Sequence, residues 1–163
     1  MALVVTVGSA SANSYLSYDD ATTFFDGRLN ADTWYSTDET VCEKALKMAA
    51  QRLQRENWIG SRVDDVQALA WPRYDALKVD QQAFGSPLYY ETTEIPQEIK
   101  DAQCLLALAL LNGYGQTNGQ SIESFTADGV TVRFGDARSE SLLPDEVTRL
   151  IGSLVRGNQL QRA

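Results

Sequence analysis

Leu69-Ala70-Trp71-Pro72-Arg73-Tyr74-Asp75-Ala76, followed further on by Glu94-Ile95-Pro96-Gln97-Glu98-Ile99-Lys100-Asp101-Ala102, decides how this chain divides. The first piece cannot continue a regular helix. Proline fixes its own φ, and its ring pushes the residue before it, Trp71, toward an extended conformation. The second piece reads as a helix start, with Pro96 in the first turn and acids beside it, facing the positive end of the helix dipole. An irregular, Trp-bearing segment therefore lies between two helices.

On the N-terminal side, Ser36 and Glu39 have capping-box spacing before a run of helical period. Cys42, Ala45, Leu46, Ala49 and Leu53 form one apolar stripe. Trp58-Ile59-Gly60 should close this helix, with Gly60 as its C-terminal cap. Further upstream, Ser14 to Leu29 is a helix candidate in which Ser17 and Asp20 resemble an N-cap pair, and Ala21, Phe24 and Phe25 face the core. Asn30 to Ser36 reads as a loop carrying Trp34 and Tyr35, and residues 1–12 as an N-terminal arm.

On the C-terminal side, the segment from about Ser61 to Thr93 shows no sustained period. So long a stretch without structure inside a compact domain is usually a functional loop. It holds Trp71, Tyr74, Phe84, Tyr89 and Tyr90. Pro96 then opens a helix through about Asn112, with Ile95, Ile99, Ala102, Leu106 and Ala109 on one face. Leu105, Leu108 and Leu111 widen that face until the helix is apolar nearly all round, as suits a central element. Gly119 to Phe134 reads as a β-hairpin, because Val130, Val132 and Phe134 alternate with polar residues after an Asp128-Gly129 turn. Pro144-Asp145-Glu146 starts a last helix with the stripe Val147, Leu150, Ile151, Leu154 and Val155, ended by Gly157 and followed by a tail over 157–163. The expected fold is mainly α, a small bundle of about four helices with one long irregular loop and one β-hairpin, in a single domain over 1–163.

Composition narrows the function. The chain has 163 residues, 44% of them hydrophobic and 22% charged, with a net charge of −8. That balance disfavours generic binding to nucleic acid or an anionic membrane, which rests on clustered Lys and Arg. Cys42 and Cys104 both lie in apolar helical patterns and read as buried free thiols, consistent with a reducing compartment. Histidine is absent, which removes the commonest general base and metal ligand. The apolar start, Met1 to Val7, lacks a basic region and does not read as a signal peptide.

No constellation for catalysis emerges. Gly113-Tyr114-Gly115-Gln116-Thr117-Asn118-Gly119 follows a helix rather than a strand, so it reads as a helix exit and not a phosphate loop. The pairs Asp19-Asp20 and Asp64-Asp65 are sequence neighbours whose side chains point apart, so neither is a dyad. No serine sits in a nucleophile turn. Neither an enzyme nor a cofactor or metal site is expected. Arg52, Arg55, Trp58, Arg62, Trp71 and Arg73 could gather as the basic and aromatic residues of a single-strand-binding surface, with Glu56, Asp64 and Asp65 intervening. The alternative function is therefore a single-stranded-DNA-binding replication accessory.

The order of features resembles the head-tail connector (adaptor, or head-completion) proteins of tailed bacteriophages. The matching pieces are Asn13-Ser14-Tyr15, Trp58-Ile59-Gly60, Leu69-Ala70-Trp71-Pro72-Arg73, Ile95-Pro96-Gln97-Glu98-Ile99 with Ala102, Gly129-Val130-Thr131-Val132, and the helix begun by Pro144. The resemblance implies a virion structural protein made in the host cytoplasm and placed in the neck. A ring of about twelve copies would sit beneath the portal, contact the next neck or tail protein, and let genomic DNA pass without specific binding. It implies portal docking by Val147, Arg149, Leu150, Ile151, Leu154, Val155, Arg156 and Arg162. Trp71, Pro72, Arg73 and Tyr74 would anchor the loop or meet a neighbouring subunit, with Arg73 seeking a carboxylate. Asp128, Gly129, Val130, Val132 and Phe134 would form the hairpin interface. Similar phage sequences also carry a likeness to a primosomal single-strand-binding domain, which would imply DNA binding; the acidic balance argues the other way.

Overall fold

In the computed structural model, residues 2–83, 86–115, 124–127, 130–133 and 143–156 are described. The two long helices are the ones with the clearest apolar stripes. α1 spans Tyr18–Asp26, α2 Asp32–Ser36, α3 Glu39–Leu53, α4 Gln97–Leu111 and α5 Asp145–Ile151. α3 packs along α4, and α5 and the shorter helices pack around them. α3 buries Cys42, Ala45, Leu46, Ala49, Ala50 and Leu53, the expected stripe with one alanine added. α4 buries Ile99, Ala102, Leu106 and Leu110 on the same principle. Each fully buried leucine or isoleucine contributes about 1.5–3 kcal/mol relative to exposure. The bundle with hairpin strands is the fold class that the periodicity predicts.

Ser17 caps α1 in a reciprocal box: Asp20 N donates to Ser17 Oγ at 3.1 Å, and Ser17 N donates to Asp20 Oδ2 at 3.1 Å. The cap of α3 differs from expectation. Asp38, not Ser36, holds it, with Thr40 N donating to Asp38 Oδ1 at 2.9 Å. Ser36 is unavailable because it ends α2, a helix that forms where a loop is expected. Burial of Trp34 accounts for that turn. Its ring lies 4.8 Å from Phe25 and 5.4 Å from Tyr18, and its Nε1 donates to Thr22 Oγ1 at 3.1 Å.

Gly60 does not cap α3, which stops at Leu53. Instead the indole of Trp58 folds back, and its Nε1 donates to Leu53 O at 3.0 Å, a terminal carbonyl that Glu56 N also reaches at 3.2 Å. The segment after it is not structureless either. β1 (Ser61–Arg62) pairs antiparallel with β2 (Arg73–Tyr74), and β3 (Leu77–Ala83) with β4 (Ser86–Tyr89). Strands of two residues are too short to show a period. The β3–β4 ladder shifts register between Leu77 and Gln82, which breaks alternation in the longer pair. β5 (Ser124–Ala127) and β6 (Val130–Arg133) form the expected hairpin, in register from Ser124 opposite Arg133 to Ala127 opposite Val130.

Two buried glutamines organise the irregular backbone. Gln67 Oε1 accepts from Val63 N and Asp64 N, both at 3.1 Å, while its Nε2 donates to Leu69 O at 2.8 Å and Pro72 O at 3.2 Å. Gln103 on α4 ties the segment just before α1 to α3. Its Oε1 accepts from Tyr15 N at 2.9 Å, and its Nε2 donates to Ser14 Oγ at 2.7 Å and Leu46 O at 2.9 Å. Every polar atom of that amide group is engaged, which is what makes its burial tolerable.

Candidate functional site

Three chain segments meet at Ile59 and Gly60. From the C-terminal side, the chain leaving α5 runs antiparallel to Trp58, with Trp58 bridged to Val155. Ile59 N donates to Leu154 O at 2.9 Å, and Arg156 N to Asn57 O at 2.7 Å. From the other side comes β2. Gly60 lies at φ +70°, and a Cβ there would stand 2.1 Å from Tyr74 O, so glycine is required by both conformation and space.

Arginine side chains close over this junction. Arg73 Nε donates to Ile59 O at 2.6 Å, its Nη1 to Ala70 O at 3.1 Å and its Nη2 to Gly60 O at 2.9 Å. Arg156 Nη2 donates to the same Gly60 carbonyl at 3.4 Å. Arg62 stands opposite Arg73 in the ladder, hence on the same face, and its Nη1 donates to Gln67 O at 3.3 Å. Arg62 and Arg156 are exposed and Arg73 is half-buried. Among the described residues, none of the three is ion-paired with a carboxylate. Burial, first, and then the Arg62 and Arg156 charges hold the Arg73 guanidinium below its usual value. Beneath them Tyr15 is buried, and burial pushes its hydroxyl up to about 12. The Ala70 and Trp71 amides and the Arg62 and Arg73 charges pull the other way, but the hydroxyl reaches no partner at hydrogen-bonding geometry. The arrangement is a cluster of positive charge in an acidic chain, and among the described residues its side-chain hydrogen bonds all go to backbone carbonyls.

Other expected sites resolve differently. Val147, Ile151 and Leu154 are buried in the chain's own core, and Leu150 and Val155 are half-buried against it. A docking helix must offer its apolar stripe outward, and this one has already used it. Arg149 is exposed, and Arg162 lies outside the described residues. Trp71 is 1% exposed, set edge-to-face between Trp58 at 6.1 Å and Tyr90 at 5.8 Å, so it anchors the loop inward rather than meeting a neighbouring subunit. The Trp71–Pro72 peptide is cis, and Pro72 is buried. Arg73 takes carbonyls, not the carboxylate expected of it. Tyr74 is exposed but stands opposite Ser61, on the other face of the ladder from Arg62 and Arg73. In the hairpin, Val130 and Val132 are paired through their backbones; Asp128, Gly129 and Phe134 lie outside the described residues.

The basic and aromatic set is likewise only half assembled. Trp58 and Trp71 are buried and cannot stack on a base. Arg52 lies beside Gly115 at the exit of α4, where a Cβ on that glycine would come within 2.8 Å of its Nη1. Arg62 and Arg73 do meet, and the partner they gain is Arg156, which the sequence offered only as part of the last helix. Both cysteines are buried and free; burial raises the Cys42 thiol and pushes Cys104 up to about 12. Among the described residues, no group of three or more His, Cys, Asp or Glu side chains could hold a metal, and no helix is long and apolar enough to cross a membrane.

A family model described as "Putative DnaT-like ssDNA binding protein" matches residues 1–163. No curated protein and no solved structure matches the chain. The family match overturns the connector resemblance and what it implied: a virion neck location, a portal and tail partner, a ring, and DNA passing unbound.

Proposed function

We propose that this chain, which belongs to the DnaT-like ssDNA-binding protein family, binds single-stranded DNA as a replication accessory. The observation that carries the reading into chemistry is the convergence of Arg73 and Arg156 on one carbonyl, with Arg62 directly across the ladder from Arg73 and none of the three ion-paired with a carboxylate among the described residues, in a chain of net charge −8. Backbone phosphates are the ligand such a spot suits. Guanidinium groups match phosphate geometry through paired N–H donors, and exposed ones release counterions when they bind.

The contact is read as phosphate-directed and tolerant of sequence. With Trp58 and Trp71 buried, the arginine face offers no indole for stacking. The surrounding acidity keeps affinity modest and confines binding to this face. Oligodeoxynucleotide binding followed by fluorescence anisotropy between low and moderate salt tests the reading. Affinity should fall linearly on logarithmic axes, at about −0.7 per phosphate contact for a single strand, and Arg→Ala changes at 62 and 156 should weaken it. A chain that binds no oligonucleotide at low salt does not perform this function.

A further inference from the structure

We propose that the Arg62–Arg73–Arg156 cluster binds the terminal phosphate of a DNA strand, a phosphomonoester, in preference to the internal phosphodiesters. The inference rests on the single-strand reading and narrows it to a strand end.

The geometry is that of a point. A surface that tracks a strand spaces its cations along a groove and interleaves aromatic platforms. Here two guanidinium groups donate to one oxygen, Gly60 O, at 2.9 and 3.4 Å, and the third stands directly across the ladder from one of them. The exposed aromatic of the ladder, Tyr74, is on its opposite face, and Trp58 and Trp71 are inside the core. Concentrated positive charge without a stacking track suits concentrated negative charge. An internal phosphodiester carries one charge, whereas a phosphomonoester, with its second pKa near 6, carries about −1.5 to −2 at neutral pH and three strong acceptor oxygens.

The donors are also held ready. Arg73 is fixed by its three carbonyl bonds and supplies charge from behind. Arg156 is held at its backbone by Asn57 O, and Arg62 by strand pairing and Gln67 O. Arg62 and Arg156 each engage a single carbonyl through one side-chain N–H, so most of their donors remain to meet a ligand. Preorganised donors lose little freedom on binding. Like charges packed without a counter-carboxylate are relieved most by the ligand of highest charge density.

Anisotropy at low salt tests this with oligodeoxythymidylates of one length, ending in 5′-phosphate, 3′-phosphate or hydroxyl at both ends. The chain is compared with its R62A and R156A forms, and melting curves confirm that each variant is folded. The phosphorylated strand should bind about tenfold tighter, the scale of one added charge-assisted contact, and either substitution should erase most of that gain. Equal affinity of all three strands overturns the inference and leaves the single-strand reading standing. Failure of every strand to bind removes both. Inorganic phosphate, at matched ionic strength, should displace the phosphorylated strand only weakly. Displacement as effective as that by unlabelled phosphorylated strand would mean a free-phosphate site and would overturn the strand-end assignment.

Discussion

Arg73 and Arg156 donate to the same atom, the carbonyl oxygen of Gly60, at 2.9 and 3.4 Å. Their tasks nevertheless differ. Arg73 also holds Ile59 O and Ala70 O, so it ties together the two chain segments that form the site, whereas Arg156 is exposed and makes this one long contact.

Separating those tasks gives the first prediction. Arg156→Ala should leave the melting temperature nearly unchanged, weaken oligonucleotide binding, and flatten its salt dependence by about 0.7 in slope for one lost phosphate contact. Arg73→Ala should weaken binding and also destabilise the fold by roughly 3 kcal/mol, because three carbonyls lose a charged donor. Thermal melts and salt titrations of both variants check this. Equal loss of stability in the two would show that Arg156 is structural too.

Gly60→Ala should be among the costliest single changes at the site. The residue would need φ +70°, and its Cβ would meet Tyr74 O at 2.1 Å, a backbone atom that moves only if β2 moves. Gly8 supplies the control, since it has φ +72° and nothing within 4 Å. Gly8→Ala should cost only the left-handed conformation, about 1–2 kcal/mol. Gly60→Ala should exceed it clearly and lower oligonucleotide affinity as well, as measured by denaturant unfolding and anisotropy.

What the sequence made legible follows physical scale. α3 and α4 declare themselves because fifteen residues each repeat the helical period through Leu46, Leu53, Ile99 and Leu106. The Ser17–Asp20 cap is legible because both halves of the box lie within one turn. α2 and the β1–β2 ladder escape notice because five- and two-residue elements have no room for a period, and burial of Trp34 and pairing across a loop decide them. The site shows the same limit. Arg62 and Arg73 appear together in a basic and aromatic run, but the contact of Arg156 with Gly60 spans 96 positions. Net charge misleads for a related reason, since a sum of −8 contains no information about three arginines at one point. The connector resemblance rested on the order of short, common motifs, such as proline-started helices, that many helical folds share.

Gln103→Leu should destabilise the chain by on the order of 3 kcal/mol, although the side chain is similar in size and wholly buried. The loss would orphan Tyr15 N, and would take one bond each from Leu46 O, which keeps its partner within α3, and from Ser14 Oγ, which keeps Leu16 N and Leu16 O. An orphaned buried polar group costs about 1–3 kcal/mol, and each other lost bond about 1 kcal/mol. Gln103→Glu is the sharper variant. It keeps an acceptor for Tyr15 N but, when ionised, points a second acceptor at Leu46 O. Its deficit should shrink as pH falls and the carboxyl protonates, which urea unfolding at pH 4 and pH 7 would reveal.

Two helix caps set the response to acid. Asp20 is held below the usual carboxylate range chiefly by the Ser17 hydroxyl and then by the Ser17 backbone amide. The Asp38 carboxyl is lowered by the Thr40 hydroxyl and then by the Thr40 backbone amide. A carboxylate whose folded pKa lies below its unfolded value, about 3.9, stabilises the fold fully above that value. The contribution fades as pH falls through the folded pKa, because protonation then removes the charge that strengthens the cap's hydrogen bonds. Unfolding midpoints should therefore stay level through neutral pH and drop below about pH 4. Ser17→Ala removes the main cause of the Asp20 shift. It should cost about 1 kcal/mol at pH 7 and make the acid decline shallower, so that the two curves converge toward pH 2. Parallel curves down to that pH would mean that the reciprocal Ser17–Asp20 bonds do not couple α1 to protonation.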